Sequence, residues 1–308
     1  TETIDNRSRL ADGNKGTLIY KKKLLLERKV TGIGKNNKRI IRNIGRKCKM
    51  RQRIKSVYEY RDMIFSLVHR ELRGRYQKSV LGMLWTFLNP LCQIVVYTFV
   101  FTKIFPSNIP KYYMYLMTGM IPWTFFTEAL GQGAGCIVAN SEMTKKIYFP
   151  REVLTIASVT AKFVNMLLAM IVVFVFLVAS GVGISLQTVW MLPIVLIAEY
   201  MIALGFTLFF SAITVYLRDM EYIVGVLLMA WVWVNPVMYS LDGLPPVLMR
   251  ILYINPMTPI IVGLHDILFY HTVPGVGDMV YVLVIGIVLL LLGESVFMEL
   301  EGNFAEEL

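Results

Sequence analysis

Cysteine and histidine are scarce in this chain, which has only three of each among its 308 residues. They are too few and too scattered for a disulfide framework or for a metal site built on their side chains. The sequence also lacks the motifs of a phosphate-binding loop, a nucleophile elbow and a zinc protease helix. These absences argue against a catalytic centre. ATP hydrolysis of the P-loop kind must come from another polypeptide if it drives this protein.

Several long apolar runs follow one another with almost no Lys or Arg between them, and 56% of all residues are hydrophobic. About 20 apolar residues of helix cross a hydrocarbon core roughly 30 Å thick. The pattern therefore predicts an all-α, polytopic membrane protein with six transmembrane helices. These are expected near residues 84–105, 114–137, 153–180, 189–217, 222–239 and 279–296.

The cations are concentrated at the start of the chain. Residues 1–85 hold 23 of the 31 Lys and Arg and 7 of the 21 Asp and Glu, a net charge of +16, whereas the remainder carries −6. A basic stretch beside membrane spans is typical of the cytoplasmic face and its anionic lipids. We expect residues 1–57 to form a basic, disordered cytoplasmic arm. The stretch has no finger or base-stacking module, so nucleic acid is not the expected partner.

Residues 58–82 are predicted to form an amphipathic interface helix before the first span. Tyr60, Ile64, Leu67 and Leu72 fall at helical spacing, which describes a helix lying in the headgroup plane with its apolar face toward lipid. Cations on the other faces could meet either a lipid diphosphate or ordinary phospholipid headgroups. The candidates are Arg61, Arg70, Arg73, Arg75 and Lys78.

Prolines interrupt the chain between the fifth and sixth predicted spans. Apolar pieces shorter than a span suit re-entrant helices, and we expect such pieces on the external side. Loop cations at Lys145, Lys146, Arg151 and Arg218 alternate with loops that carry fewer of them. The positive-inside rule then places both termini in the cytoplasm. Residues 83–308 would form the six-helix transmembrane domain with a short acidic cytoplasmic tail.

An ordered set of motifs runs from about residue 58 to the end of the sequence. They are YRD (60–62), RELRGRY (70–76), GMLW (82–85), NP (89–90), GMIPW (119–123) with Phe126 and Glu128, KKIYFPRE (145–152), YLRD (216–219), NPMTP (255–259) and FAEEL (304–308). This set resembles the ABC-2-type polysaccharide export permeases, the membrane subunits of ABC exporters for O-antigen, teichoic acid and related glycans.

The resemblance implies a transport subunit and not an enzyme. It implies export of an undecaprenyl-type lipid-linked glycan across the bacterial inner or plasma membrane. Two copies of this chain would assemble with two ABC ATPase subunits. ATP and Mg would be bound by those partners, with no cofactor on this chain.

Candidate site residues follow from the same motifs. The segment that would contact the ATPase offers Ser141, Glu142, Lys145, Lys146, Tyr148, Phe149 and Arg151. The translocation path candidates are Trp85, Tyr97, Trp123, Phe126 and Glu128. The external gate candidates are Asn255, Pro256 and Pro259. An interfacial turn is the alternative interpretation of the first set. For most of the aromatic residues of the second set, an aromatic belt or core packing is the favoured interpretation.

Three charges fall inside predicted spans, where ionisable groups usually face a cavity or a partner. Glu128 fits a glycan path and a wet or paired structural position equally well. Lys162 and Glu199 are expected to lie near a membrane face or to be paired. Asn140 or Ser141 is expected to cap a short helix through Lys146.

Two other functions stay open at the level of sequence. A membrane glycan ligase or glycosyltransferase needs polar groups gathered at one face, and the external loops offer few of them. An ion-coupled carrier needs several buried charges and paired broken spans, and no inverted repeat is evident.

Overall fold

The computed structural model describes residues 56–74, 82–104 and 109–308. Nearly all of the predicted basic arm, together with Arg75 and Lys78, lies outside the described residues. The chain divides into two compact units, Thr1–Glu59 and Tyr60–Leu308. Of the first unit only residues 56–59 are described, and they are helical. The second unit contains both candidate spans and candidate site residues.

The part of the second unit that the structure describes contains helices and turns but no β-strand. The prediction of an all-α fold is therefore confirmed for these residues. The helices are α1 (Arg61–Gly74), α2 (Trp85–Phe99), α3 (Tyr112–Ala134), α4 (Cys136–Ala139), α5 (Ser141–Lys146), α6 (Glu152–Ala179), α7 (Leu186–Val189), α8 (Leu192–Tyr216), α9 (Met220–Val234), α10 (Pro246–Ile254), α11 (Met257–His265), α12 (Val276–Leu300) and α13 (Phe304–Glu307).

Within the described ranges, four helical segments are long and apolar enough to cross a membrane. They are Phe87–Ile104, Glu152–Ala179, Leu186–Tyr216 and Val276–Asn303. A bent pair of helices makes a fifth candidate if it is one span. Helix α9 has only 15 residues, and α3 has 23 but is not among the four. The six predicted crossings therefore remain a prediction.

Helix α3 is the centre of the bundle, and neighbouring helices surround it. Seventeen of its 23 residues are buried, against α6, α8, α9, α11 and α2. The hydroxyl of Tyr112 donates to the Met238 carbonyl oxygen at 2.5 Å, and that of Tyr115 to the Tyr239 carbonyl oxygen at 2.8 Å. Polar side chains are tolerated here because protein, not lipid, satisfies them.

Glycines bring α8 and α12 into backbone contact. A Cβ atom on Gly293 would overlap the carbonyl oxygen of Gly205, and one on Gly205 would lie 2.6 Å from the Leu289 carbonyl carbon. Small residues allow such close helix packing in membranes, where dispersion contacts replace the hydrophobic effect. The long apolar helix α12 is fixed to the bundle along this line.

Helix α1 packs on protein along its apolar stripe. Tyr60, Ile64, Leu67, Val68 and Leu72 contact a small core at the start of α6. That core includes Phe149, Val153, Leu154 and Ala157. The predicted amphipathic pattern is present, but its apolar face meets α6 instead of lipid. We call the end of the bundle that holds α1, α5 and the C-terminal residues the basal end.

Helices α10 and α11 meet at a bend of 109°. Asn255 lies at the bend, where its Nδ2 donates to Asn235 Oδ1 at 2.6 Å and its Oδ1 accepts from the Met257 backbone N–H at 3.2 Å. The side chain thus ties the bend to the end of α9. A broken helix pair was predicted here from the prolines, and the described residues contain one.

Candidate functional site

A cavity of about 610 Å³ lies between α2, α3 and α6. Each helix contributes polar side chains about one turn apart: Asn89 and Gln93 from α2, Lys162 and Asn165 from α6. From α3 come Thr124, Glu128 and Gln132, which share one helix face because they are spaced by four residues. The same three helices also contribute apolar lining, so the cavity has both polar and apolar walls.

A second cavity of about 210 Å³ lies under α1 at the basal end. Arg70 and Glu71 of α1 line it, and Asn140, Ser158 and Cys136 line it from the other side. Gln132 lines both cavities. The two spaces are therefore neighbours, arranged one after the other from α1 into the bundle.

An ion pair stands where the two cavities meet. The Lys162 ammonium contacts Glu71 Oε1, and the Ser158 hydroxyl donates to the same oxygen at 3.3 Å. Lys162 lines the larger cavity and Glu71 the smaller one. The side chain of Lys162 is only 3% exposed. A cation this buried needs a partner, and α1 supplies it. The expectation that Lys162 is paired is confirmed.

The predicted path residues separate into two groups. Trp85 and Glu128 line the larger cavity. Trp123 and Phe126 are buried in an aromatic cluster with Phe206 and Trp231. Tyr97 is half-buried against the same core. The structure thus brings two of the five candidates to the cavity and uses the other three for packing.

The predicted headgroup cations stand on the exposed side of α1. Arg61 lies beside Asp62, with 3.8 Å between Nε and Oδ1. Arg70 Nη2 donates to Asn140 Oδ1 at 2.8 Å. Arg73 is exposed, and Arg75 and Lys78 lie outside the described residues. Of the described cations in this set, only Arg70 lines either cavity.

The segment after α5 exposes two apolar side chains at the basal end. Tyr148 is 98% exposed and Ile147 is also exposed, whereas the next residue, Phe149, is buried in the core under α1. Lys146 Nζ contacts Glu142 Oε2 at 3.1 Å across one turn of α5. Lys145 is exposed and Ser141 half-buried. The segment therefore projects Tyr148 from a base anchored by Phe149.

The expectation that Asn140 or Ser141 caps α5 through its side chain is wrong. Helix α5 has no side-chain cap hydrogen bond at its start. Asn140 instead donates from Nδ2 to the Cys136 carbonyl oxygen at 2.8 Å and accepts from Arg70. Its side chain joins Arg70 of α1 to the first residue of α4, and this contact could not be seen from local sequence.

The C-terminal residues hold the start of α6. The Arg151 guanidinium donates to the Glu301 carbonyl oxygen at 2.6 Å, and the Arg151 backbone N–H donates to Glu301 Oε1 at 3.1 Å. The guanidinium also lies 5.8 Å from the ring centre of buried Phe304. Burial lowers the pKa of Arg151 from its usual value. Arg151 was predicted to contact an ATPase, and the structure places it against the tail.

The external gate candidates Pro256 and Pro259 flank the start of α11, next to Asn255. Pro259 is buried inside that helix and Pro256 half-buried at its N-cap. With the Asn255–Asn235 hydrogen bond, they lie at the bend between α10 and α11, at the end of the bundle away from α1.

The sequence matches the ABC-2 type transporter family over residues 63–269. This chain belongs to the ABC-2 type transporter family. The matched region begins in α1 and ends in the π-helical turn after α11, so it includes both cavities, the ion pair and the segment that projects Tyr148.

Known relatives of this ABC-2 transporter are transport permeases. An O-antigen export system permease protein RfbA of Myxococcus xanthus is 32% identical over 83% of this chain and 98% of the relative. A protein of the same name from Klebsiella pneumoniae is 30% identical over 80% of this chain and 94% of the relative. The polysialic acid transport protein KpsM of Escherichia coli is 23% identical over 64% of this chain and 77% of the relative.

Glu199 of this ABC-2 transporter differs from the sequence expectation. The residue is fully buried in α8, and neither of its carboxyl oxygens has a hydrogen-bond partner among the described residues. It was expected to be wet or paired, and it is neither. An unpaired ionised carboxylate is strongly disfavoured in such a position.

Proposed function

We propose that this chain is the transmembrane subunit of an ABC exporter for a lipid-linked polysaccharide. The observation that carries the proposal is the similarity to O-antigen export permeases over nearly their whole length. The substrate would move from the cytoplasm to the outer face of the bacterial inner or plasma membrane. Teichoic acid, another glycan that such permeases carry, stays a prediction for this chain.

In this proposal the chain crosses the membrane six times, through α2, α3, α6, α8, α9 and α12, with both termini in the cytoplasm. The basal end is then cytoplasmic, and the α10–α11 bend is external. Helix α9 is short but apolar, with only Val224 and Leu228 buried. Its exposed face supports a contact with lipid or with a second copy of the chain. Two copies would enclose a wider path than one bundle of this size offers.

The chain would not act as an enzyme. It would take its energy from a separate ABC ATPase, which binds ATP and Mg. The exposed Ile147 and Tyr148 support a docking contact, because apolar side chains at a protein surface are typical of partner sites. Phe149 and Arg151 would carry movement from that contact into α6 and the C-terminal residues.

The larger cavity would receive the polar part of the substrate. Amide, hydroxyl and carboxyl side chains line it beside apolar ones, and a lipid-linked glycan has both kinds of surface. Glu128 and Trp85 are the path candidates that this proposal keeps at the cavity.

Deletion of the gene in its native bacterium tests the proposal. We expect the surface glycan to disappear from extracted envelopes while lipid-linked glycan accumulates inside, and the intact gene should restore export. As a matched control, Leu292→Ala on the exposed face of α12 should restore export equally well. Unchanged surface glycan in the deletion strain would contradict the proposal.

A further inference from the structure

The Glu71–Lys162 pair divides a continuous series of polar residues. On one side lies the smaller cavity, with Arg70, Glu71 and Ser158. On the other side lies the larger cavity, with Glu128, Lys162 and Asn165. Gln132 borders both. A group that moved from α1 into the bundle would pass the pair directly.

We propose that Glu71 and Lys162 form an exchangeable latch, in which Lys162 binds the diphosphate of the lipid-linked substrate after leaving Glu71. This inference rests on the proposed function and assigns a residue of that same path. The ligand class is a diphosphate ester of a polyprenyl lipid, bound in the larger cavity.

The cavity around Lys162 offers several donors to an anion, beside the one carboxylate of Glu128. Lys162 is a compact cation with three donors, and the amide groups of Asn89, Gln93, Gln132 and Asn165 line the same cavity. Amide nitrogens donate hydrogen bonds to phosphate oxygens, and charge-assisted bonds are the strongest of this type. A lipid tail would meet the apolar wall of the cavity.

The surroundings of Glu71 allow it to separate from Lys162. Its side chain is about one-third exposed, whereas that of Lys162 is not, so the carboxylate can be hydrated when the lysine leaves. The cation, in contrast, would be left buried without a charge partner, which is costly. An incoming diphosphate removes that cost by replacing one anion with another. Release would free α1 at one of its contacts with α6.

Cys92 provides a reporter for ligand entry. It lines the larger cavity and is exposed, whereas Cys136 is buried. In a Cys48→Ser protein, assembled with its partners in nanodiscs of zwitterionic lipid, N-ethylmaleimide should modify Cys92. Prenyl diphosphate should slow that modification. For each variant, the rate of Cys92 modification with ligand is divided by the rate without ligand. This ratio corrects for any change that the substitution itself causes in the reactivity of the thiol.

Two variants separate a latch from a merely structural pair. Lys162→Met should raise the prenyl diphosphate concentration needed for half-protection by roughly tenfold, because a charge-assisted contact is lost. Glu71→Gln should lower it by about threefold, since Lys162 no longer has a competing carboxylate. A structural pair predicts that both variants weaken protection, or that neither changes it, and either result would overturn the latch.

Controls keep folding and chemistry distinct. Lys103→Met removes a cation from the helical turn Val100–Ile104 that follows α2, outside the cavity lining, and should leave half-protection unchanged. The exchange Glu71→Lys with Lys162→Glu keeps an ion pair between the two positions, so it should preserve assembly but not protection. If it restored protection fully, the position of Lys162 would not matter and the proposal would fail.

The ligand arms distinguish the lipid from free diphosphate. We expect prenyl diphosphate to protect Cys92 at a much lower concentration than inorganic diphosphate. Equal protection by both would overturn a lipid-linked ligand. If prenyl diphosphate failed to protect the wild-type protein while gene deletion still abolished surface glycan, the latch would be wrong and the export function would stand.

Discussion

Helices α3 and α12 have similar lengths and opposite environments. Helix α3 buries 17 of its 23 residues, while α12 buries 5 of 25. Helix α12 qualifies readily as a membrane span, and α3 does not reach the apolar composition of one. The helix with the weaker membrane signature is thus the one at the centre of the bundle.

The difference has a physical cause. A side chain that faces lipid must be apolar, because hydrocarbon offers no hydrogen-bond partner. A side chain that faces other helices can be polar if protein groups satisfy it or if it lines a cavity. Thr124, Glu128 and Gln132 of α3 line the larger cavity, whereas the exposed residues of α12 between positions 280 and 292 are all Val, Ile or Leu. The low hydropathy of α3 therefore reflects its burial against other helices and its lining of the larger cavity.

The largest expected effect compares the aromatic core of α3 with the exposed face of α12. Phe126→Ala removes a fully buried ring that contacts Trp123, Phe206 and Trp231. We expect the free energy of unfolding to fall by about 4 kcal/mol. Leu292→Ala should change it by less than about 1 kcal/mol, since lipid can fill the space. Titration with SDS in mixed micelles measures the free energy of unfolding of both variants. Equal losses in the two variants would contradict the difference between the core of α3 and the exposed face of α12.

Gly293→Leu tests the tight backbone contact between α12 and α8. The side chain has to push α12 away from Gly205, because backbone atoms occupy the space. We expect a loss of about 3 kcal/mol in the free energy of unfolding, measured by the same titration. Gly277→Leu in the same helix, where a Cβ meets no atom within 4 Å, is the matched control. If Gly293→Leu kept the wild-type free energy of unfolding, the backbones of α8 and α12 would not be in contact at this position.

The tail contact should have an intermediate effect. Arg151→Ala removes the guanidinium that donates to the Glu301 carbonyl oxygen and lies over Phe304. We expect a loss of about 2 kcal/mol for local opening of the C-terminal residues, measured by hydrogen exchange of residues 297–308. Lys145→Ala, which removes an exposed cation, should leave exchange unchanged. Unaltered hydrogen exchange of residues 297–308 in Arg151→Ala would contradict a stabilising contact between Arg151 and the C-terminal residues.

The smallest effect on stability is expected at Tyr148, which is exposed, whereas the next residue, Phe149, is buried. Tyr148→Ala should leave the free energy of unfolding within about 0.5 kcal/mol, because the side chain is exposed. Affinity for the ATPase should fall by roughly tenfold, measured by titrating the ATPase onto the subunit in nanodiscs. Phe149→Ala should lower stability first, since Phe149 is buried. If Tyr148→Ala bound normally, the docking contact would lie elsewhere.

Sequence reasoning located the lipid-facing helices better than the polar contacts. The bounds of α6 and α12 follow from long apolar runs, and the structure extends α12 by a few residues at each end. Helix α9 ends at Val234 instead of near residue 239, because Asn235 precedes a proline and is disfavoured in helix. Its side chain then bonds back to the Trp231 carbonyl oxygen at 2.9 Å.

The cavity was only partly predictable. The four-residue spacing of Thr124, Glu128 and Gln132 is visible in the sequence, as is that of Asn89 and Gln93. The partner of Lys162 was not visible, since Glu71 lies 91 residues away and on a helix expected to face lipid. Pairing across that distance depends on how α1 docks on α6, which hydropathy does not determine. The contact of Arg151 with Glu301 also depends on how distant parts of the chain pack together, so it was not visible in the sequence either.

The most direct test of the account is the composition of the complex in native membranes. The tagged chain would be purified in mild detergent and its partners identified by mass spectrometry, followed by native mass measurement. We predict one P-loop ATPase for each copy of the chain and a mass that fits two of each. A lone chain, or one accompanied only by biosynthetic enzymes, would contradict the account if a control ABC transporter from the same membranes kept its ATPase.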